Sequence, residues 1–370
     1  MRVIILAASC LALWSNTVDA QVAAEQVGTE TMSAPGGNWF ISKTRNGGYI
    51  YDADSGDMHG LISLSPYTSS VEIDKQRKQF YAPETYYSRG VHGERTDVVA
   101  IYDFDNLSPV AEVDIPEKIA VLGFRRHVGM LSGGRHFLVF NMTPAQSVTV
   151  VDVEERTFVG EISTPGCAMI MPVANNDFLM ICGDGTLQLI QLDDEGQETN
   201  RERSKKFFEV LDDPVFDRPV PTPGGWLLIS HSGKAFDVGA DGSKISVSKA
   251  WSLLDEEDEE QKWRPGGGEF ASLHAPTGLL YVLMHKAEKD YTHHDPGTEI
   301  WVMSASDRRR LERIELEVPA NSLFVTQTGE PKLIVGDEEG GLHVYDAVKL
   351  TLDMTIEDPG PEPVFFTGFE

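Results

Sequence analysis

Basic side chains are scarce in this 370-residue chain. Lys and Arg number 31 against 58 Asp and Glu, a formal charge of −27 at pH 7. That balance argues against nucleic acid or an anionic membrane as partner, since either would be repelled. Long apolar runs are equally rare. Only Val3 to Trp14 is sustained, interrupted by Ser9 and Cys10, and it is too short to span a bilayer as a helix. With Arg2 before it and the small residues Val18-Asp19-Ala20 after it, the run reads as a signal peptide over residues 1–20, cut before Gln21. The expectation is an exported, soluble protein with no membrane partner.

Cysteine is nearly absent too. Of three, Cys10 leaves with the signal, so the mature chain keeps Cys167 and Cys182, 15 positions apart. An even pair in an oxidising compartment points to a disulfide. Asn175-Asn176-Asp177 between them reads as a turn joining two strands, a geometry that brings them together. Two buried free thiols are the alternative. Self-contained catalytic signatures are missing altogether: there is no phosphate-binding glycine loop, no H-E-x-x-H, no G-x-S-x-G and no C-x-x-C.

What the chain does have is a recurring phrase. Ser147 to Asp152, S-V-T-V-V-D, is a β-branched strand closed by an aspartate. Variants recur at Tyr49 to Asp52, Ala100 to Asp103, Leu189 to Asp193, Lys234 to Asp237, Ile300 to Ser304 and Leu342 to Asp346. The closing residues are separated by 51, 49, 41, 44, 67 and 42 positions. Strand-rich repeats of about 40 to 50 residues are the mark of propeller blades. The expected fold is therefore all-β, a seven-bladed β-propeller over residues 39–370, preceded by a polar tail over 21–38.

Two insertions stretch the longest interval. Trp251 to Trp263 carries the acidic run D-E-E-D-E-E, read as a short helix capped by Ser252, and His285 to Gly297 is read as a hairpin projecting from a blade. Tyr86 to Asp97 is read as a long polar crossing. The histidine-rich set His274, His285, His293, His294 and Asp295 offers metal-ligating side chains, but its spacing matches no fixed pattern. Neither it nor Ser230-His231-Ser232 supports an assignment, so no catalytic, cofactor-binding or metal-ligating residue is assigned on this chain.

Several stretches, in common order over roughly residues 40 to 350, resemble the heavy (β) subunit of the quinoprotein amine dehydrogenases, the methylamine and aromatic amine dehydrogenases. They are Tyr87-Ser88-Arg89 with Gly93 to Asp97, Asn141 to Asp152, Phe178 to Gly185, Trp263 to Gly267, Tyr281 to His285, Thr292-His293 and Glu299 to Val302. The position of Cys167 and Cys182 also looks like that family's intrachain disulfide. The resemblance implies a periplasmic complex oxidising a primary amine to aldehyde and ammonia. It implies a heterotetramer of two heavy and two light chains, and a blue copper protein such as amicyanin or azurin as electron acceptor. The cofactor, tryptophan tryptophylquinone, is implied on the small cysteine-rich light subunit rather than here. Trp39, Trp226, Trp251, Trp263 and Trp301 are accordingly read as core or interface residues.

One stretch departs from the family. Ser42 to Gly48 is shorter than the corresponding loop and lacks its channel-lining aromatic, so no channel residue is carried over. Two readings from other classes remain: a free-standing periplasmic propeller that acts as a binding module, and a self-sufficient propeller hydrolase.

Overall fold

The computed structural model describes residues 31–118, 122–142, 145–289, 291–356 and 358–369. The expected signal peptide, with Cys10, and residues 21–30 of the tail lie outside them. The described chain is built from 29 strands, one 3-10 turn and a single short helix, so the all-β expectation is met. No helix among the described residues is long and apolar enough to cross a membrane.

Each recurring phrase lies in a strand, and at six of the seven marks the closing residue explains the recurrence; Asp237 instead falls in the middle of the strand Lys234–Asp241. At Asp52, Asp103, Asp152, Asp193 and Asp346 the carboxylate accepts backbone N–H groups from the turn that follows, as from Glu154 at 2.9 Å and Glu155 at 3.0 Å at Asp152. Ser304 does the same with its hydroxyl, towards Asp307. A short polar side chain thus stops the strand and starts the turn in one step.

Seven separate blades, the number expected from the sequence, are not formed. Five sheets of four or five strands stand as separate blades, and the remainder is one continuous eight-stranded sheet. The cause is the 17-residue strand Arg309–Val325. It pairs with Gly297–Ser304 along its first part and with Lys332–Asp337 along its second, so the last two phrases share a sheet. The chain closes on itself through its ends: Phe365–Gly368 pairs antiparallel with Trp39–Lys43.

Apolar clusters lie between successive sheets. Phe80, Ala82, Val98 and Ala100 pack against Ile41, Ile50 and Ile62, and the last contact of this kind joins Phe324, Ile334 and Val344 to Phe40, Tyr51 and Phe366. That last cluster closes the ring. Burial falls outwards within a sheet: Leu187–Leu192 is buried except at Gln191, whereas its outer neighbour Glu198–Arg203 is wholly exposed.

Other expectations are refined. The helix is Glu256–Glu260, capped by Asp255 in a reciprocal box with Asp258, while Ser252 sits earlier, in strand Trp251–Ser252. The supposed polar crossing is instead paired strand: Gln79–Arg89 and His92–Asp103 run together up to a tight turn. Cys167 and Cys182 stand directly opposite each other on adjacent strands and are joined as a disulfide.

Candidate functional site

In a four-stranded antiparallel sheet the turn between the second and third strands falls at the same end as the crossing to the next sheet. One face of the ring therefore collects the long connections, and polar side chains gather there in three places.

The first place is the axis. The turn Arg125–His127, with Phe124 before it, lies between the second and third sheets in sequence, yet it touches sheets farther round the ring. The Arg126 guanidinium stacks 4.6 Å from Trp226, Arg125 lies 5.6 Å from Phe324, and Arg218 lies 4.0 Å from Phe124. Such contacts between non-neighbouring sheets form only near the centre. Arg218 also pairs with Glu269 at 3.4 Å and with Asp217. Burial holds the Glu269 carboxyl above the usual range against the pull of Arg218, Arg125 and Arg126. His127 is lowered to about 4 by desolvation, assisted by the Arg218 and Lys118 charges.

The second place is a cleft of about 610 Å³ between the crossing that carries Leu211 and Asp213, the hairpin turn at His231, and the long hairpin carrying Tyr291 and His293. Leu211 is 90% exposed and Tyr291 82%, the two most exposed large apolar side chains among those described. Between them His231 stacks on His293 at 4.1 Å, and His293 meets His294 at 4.1 Å. Desolvation lowers His231 to about 4, and the His293 ring adds to the effect.

The third is a groove of about 580 Å³ lined by Arg45, Tyr67, Tyr86, Tyr87 and Val91. Arg45 belongs to the short loop that lacks an aromatic, and neighbouring elements supply the rings instead. Behind the groove lies Glu84, fully buried. Its carboxylate accepts from Ser65 N at 2.6 Å, Thr68 Oγ1 at 3.1 Å, Tyr86 Oη at 2.7 Å and Tyr102 Oη at 2.8 Å. Burial lowers Lys43 to about 8 and Lys118 to about 7, against the attraction of Glu84 for the first and of Asp97 for the second.

The histidine-rich set does not come together as one site. His293 joins His231 in the cleft with His294 against it, and His285 lies buried near Asp295. His274 is elsewhere, its ring bonded to Thr277 Oγ1 at 2.7 Å and to the Thr328 carbonyl at 3.0 Å. Among the described residues no group of three or more His, Cys, Asp or Glu is arranged to hold a metal. Nor does Ser230-His231-Ser232 make a nucleophilic relay: Ser232 donates to Asp213 at 2.7 Å, and the His231 ring stacks. All five tryptophans among the described residues are buried. In W-R-P-G-G, Gly267 has φ +114° and a Cβ there would stand 2.9 Å from the Asn321 carbonyl, so the motif's last residue needs to be glycine. The axial arginines escaped sequence reasoning because they arrive from separate crossings with no common spacing.

A family model, Methylamine dehydrogenase heavy chain (MADH), matches residues 37–368. The methylamine dehydrogenase heavy chain of Methylophilus methylotrophus is 29% identical over 331 residues, covering 88% of this chain and 80% of that protein. That of Methylobacillus flagellatus is 29% identical over 304 residues, covering 81% and 75%. Among solved structures, a dihydro-heme d1 dehydrogenase superposes with TM-score 0.57 at 16% identity, covering 91% of this chain and 76% of that one. Kuenenia stuttgartiensis hydrazine synthase gives 0.58 at 11%, covering 89% and 99%. At such identities these two structures speak to the fold alone. The family match runs from before the first strand, Trp39–Lys43, to the last residue of the closing one, Gly368, and the chain belongs to the methylamine dehydrogenase heavy chain family.

Proposed function

We propose that this chain is the heavy (β) subunit of a periplasmic amine dehydrogenase, with methylamine the first substrate to test. It would scaffold a small cysteine-rich light subunit in a heterotetramer of two heavy and two light chains. The observation that carries the reading is the family match over 37–368, together with relatives named as heavy chains along most of their length. On this reading the tryptophan tryptophylquinone belongs to the light subunit, where it supplies a two-electron sink for R-CH2-NH2 while water provides the aldehyde oxygen and ammonia leaves. The electrons pass on to a small copper protein such as amicyanin or azurin.

This chain's part is shape and dielectric. Leu211 and Tyr291 offer apolar contact that water leaves exposed at a cost, as interface anchors do. The tyrosine groove, braced by Glu84 through Tyr86, offers a rigid wall from which a neighbouring subunit excludes water. The test is amine-dependent dye reduction. The chain alone should reduce no dye, a light-subunit fraction should restore turnover, and Leu211→Ser with Tyr291→Ser should weaken that restoration at least tenfold. Turnover by the chain alone would overturn the reading.

A further inference from the structure

The axis holds a cluster that the subunit reading leaves without a role. Arg125, Arg126 and Arg218 converge there on two carboxylates, Glu269 and Asp217, so cations exceed anions locally in a molecule of net charge −27. Each guanidinium lies over an aromatic ring, Arg125 over Phe324, Arg126 over Trp226 and Arg218 over Phe124. A contact with an aromatic face uses a guanidinium's charge and none of its N–H donors, and that planar fork of donors can take a carboxylate or phosphate in two parallel bonds. Arg218 spends part of its fork on Glu269 and Asp217. Arg125 makes no ion pair among the described residues and is only half-buried, so part of it is open to solvent.

We propose that this axial arginine cluster is an oxyanion site, in which Arg125 and Arg218 grip a carboxylate or phosphate group beside the Phe324 and Phe124 rings. Arg126 adds charge from its perch on Trp226. Glu269 competes with the incoming anion and also prevents the three cations from repelling one another. The inference is independent of the subunit reading, because the ligand is bound by residues of this chain alone.

The test is calorimetric titration of the full chain at low ionic strength with succinate and, separately, with inorganic phosphate. Saturable binding of at least one, at one site per chain, is expected. Affinity should fall at least tenfold in Arg125→Gln and stay unchanged in Arg309→Gln, an exposed arginine on the strand Arg309–Val325. Glu269→Gln should tighten binding, a result that general damage to the axis would not give. Succinate alone binding identifies a carboxylate site, and phosphate alone a phosphate site. Saturation by neither ligand would overturn the proposal, as would binding that Arg125→Gln leaves intact.

Discussion

At the scale of the residue, buried charge is where this protein is most sensitive. The Asp97 side chain is 2% exposed and accepts from Arg95 Nε at 2.7 Å, Arg95 Nη2 at 2.9 Å and Thr85 Oγ1 at 2.7 Å. Removing the arginine leaves a carboxylate desolvated with too few donors, and breaking such a pair costs about 3 kcal/mol or more. Arg95→Ala should therefore lose about that much in urea unfolding, and a change below 1 kcal/mol (roughly the worth of a surface pair) would make the bridge a surface-like one. His127 sets a pH dependence. Burial lowers it from 6.5 to about 4, so in that interval the unfolded chain binds a proton that the folded chain refuses. The stability it contributes is complete above pH 6.5 and is lost as pH falls through about 4. Thermal melting between pH 7 and 4.5 should record a decline that is shallower in His127→Phe; parallel declines would assign the acid sensitivity to other groups.

At the scale of the element, strands were legible and connections were not. The phrases ending at Asp103 and Asp152 announced themselves because a strand stop and a turn start are local chemistry. Hairpin Leu279–Lys286 with Gly297–Ser304 was legible for the same reason. The stretch from Tyr86 to Asp97 was misread because its polar side chains line an exposed ladder, where composition resembles that of a loop. The extent of Arg309–Val325 was also invisible, since nothing in the residues between Ile314 and Ala320 signals that pairing continues through a crossing. Cys167 and Cys182 show local pairing at its most useful: the turn at Asn175 and Asn176, both at positive φ, sets a register that places them opposite each other. Each cysteine is 1% exposed, so reductant should act only on unfolded chains. Cys167→Ser with Cys182→Ser should cost roughly 3 kcal/mol in denaturant unfolding, the loop-entropy value for a closure of this length. A variant as stable as the parent would remove the bond from the account of stability.

At the scale of the whole molecule, ring closure converts seven local phrases into one cooperative body, with its first and last strands paired. The candidate surfaces exist only above the level of the single sheet: Leu211 and Tyr291 line one cleft once two successive sheets have packed, and Arg125 reaches Phe324 only once the ring is shut. No spacing rule could have found them, whereas family kinship was readable because its short motifs keep their order along the chain. The central claim is that the molecule is half of a working unit. It is tested most directly by capturing the chain from its native cells and recording the mass and visible absorption of what co-elutes. The account predicts a small, disulfide-rich partner in equal number with the chain and carrying a quinone band, whereas a colourless propeller that elutes alone would contradict it.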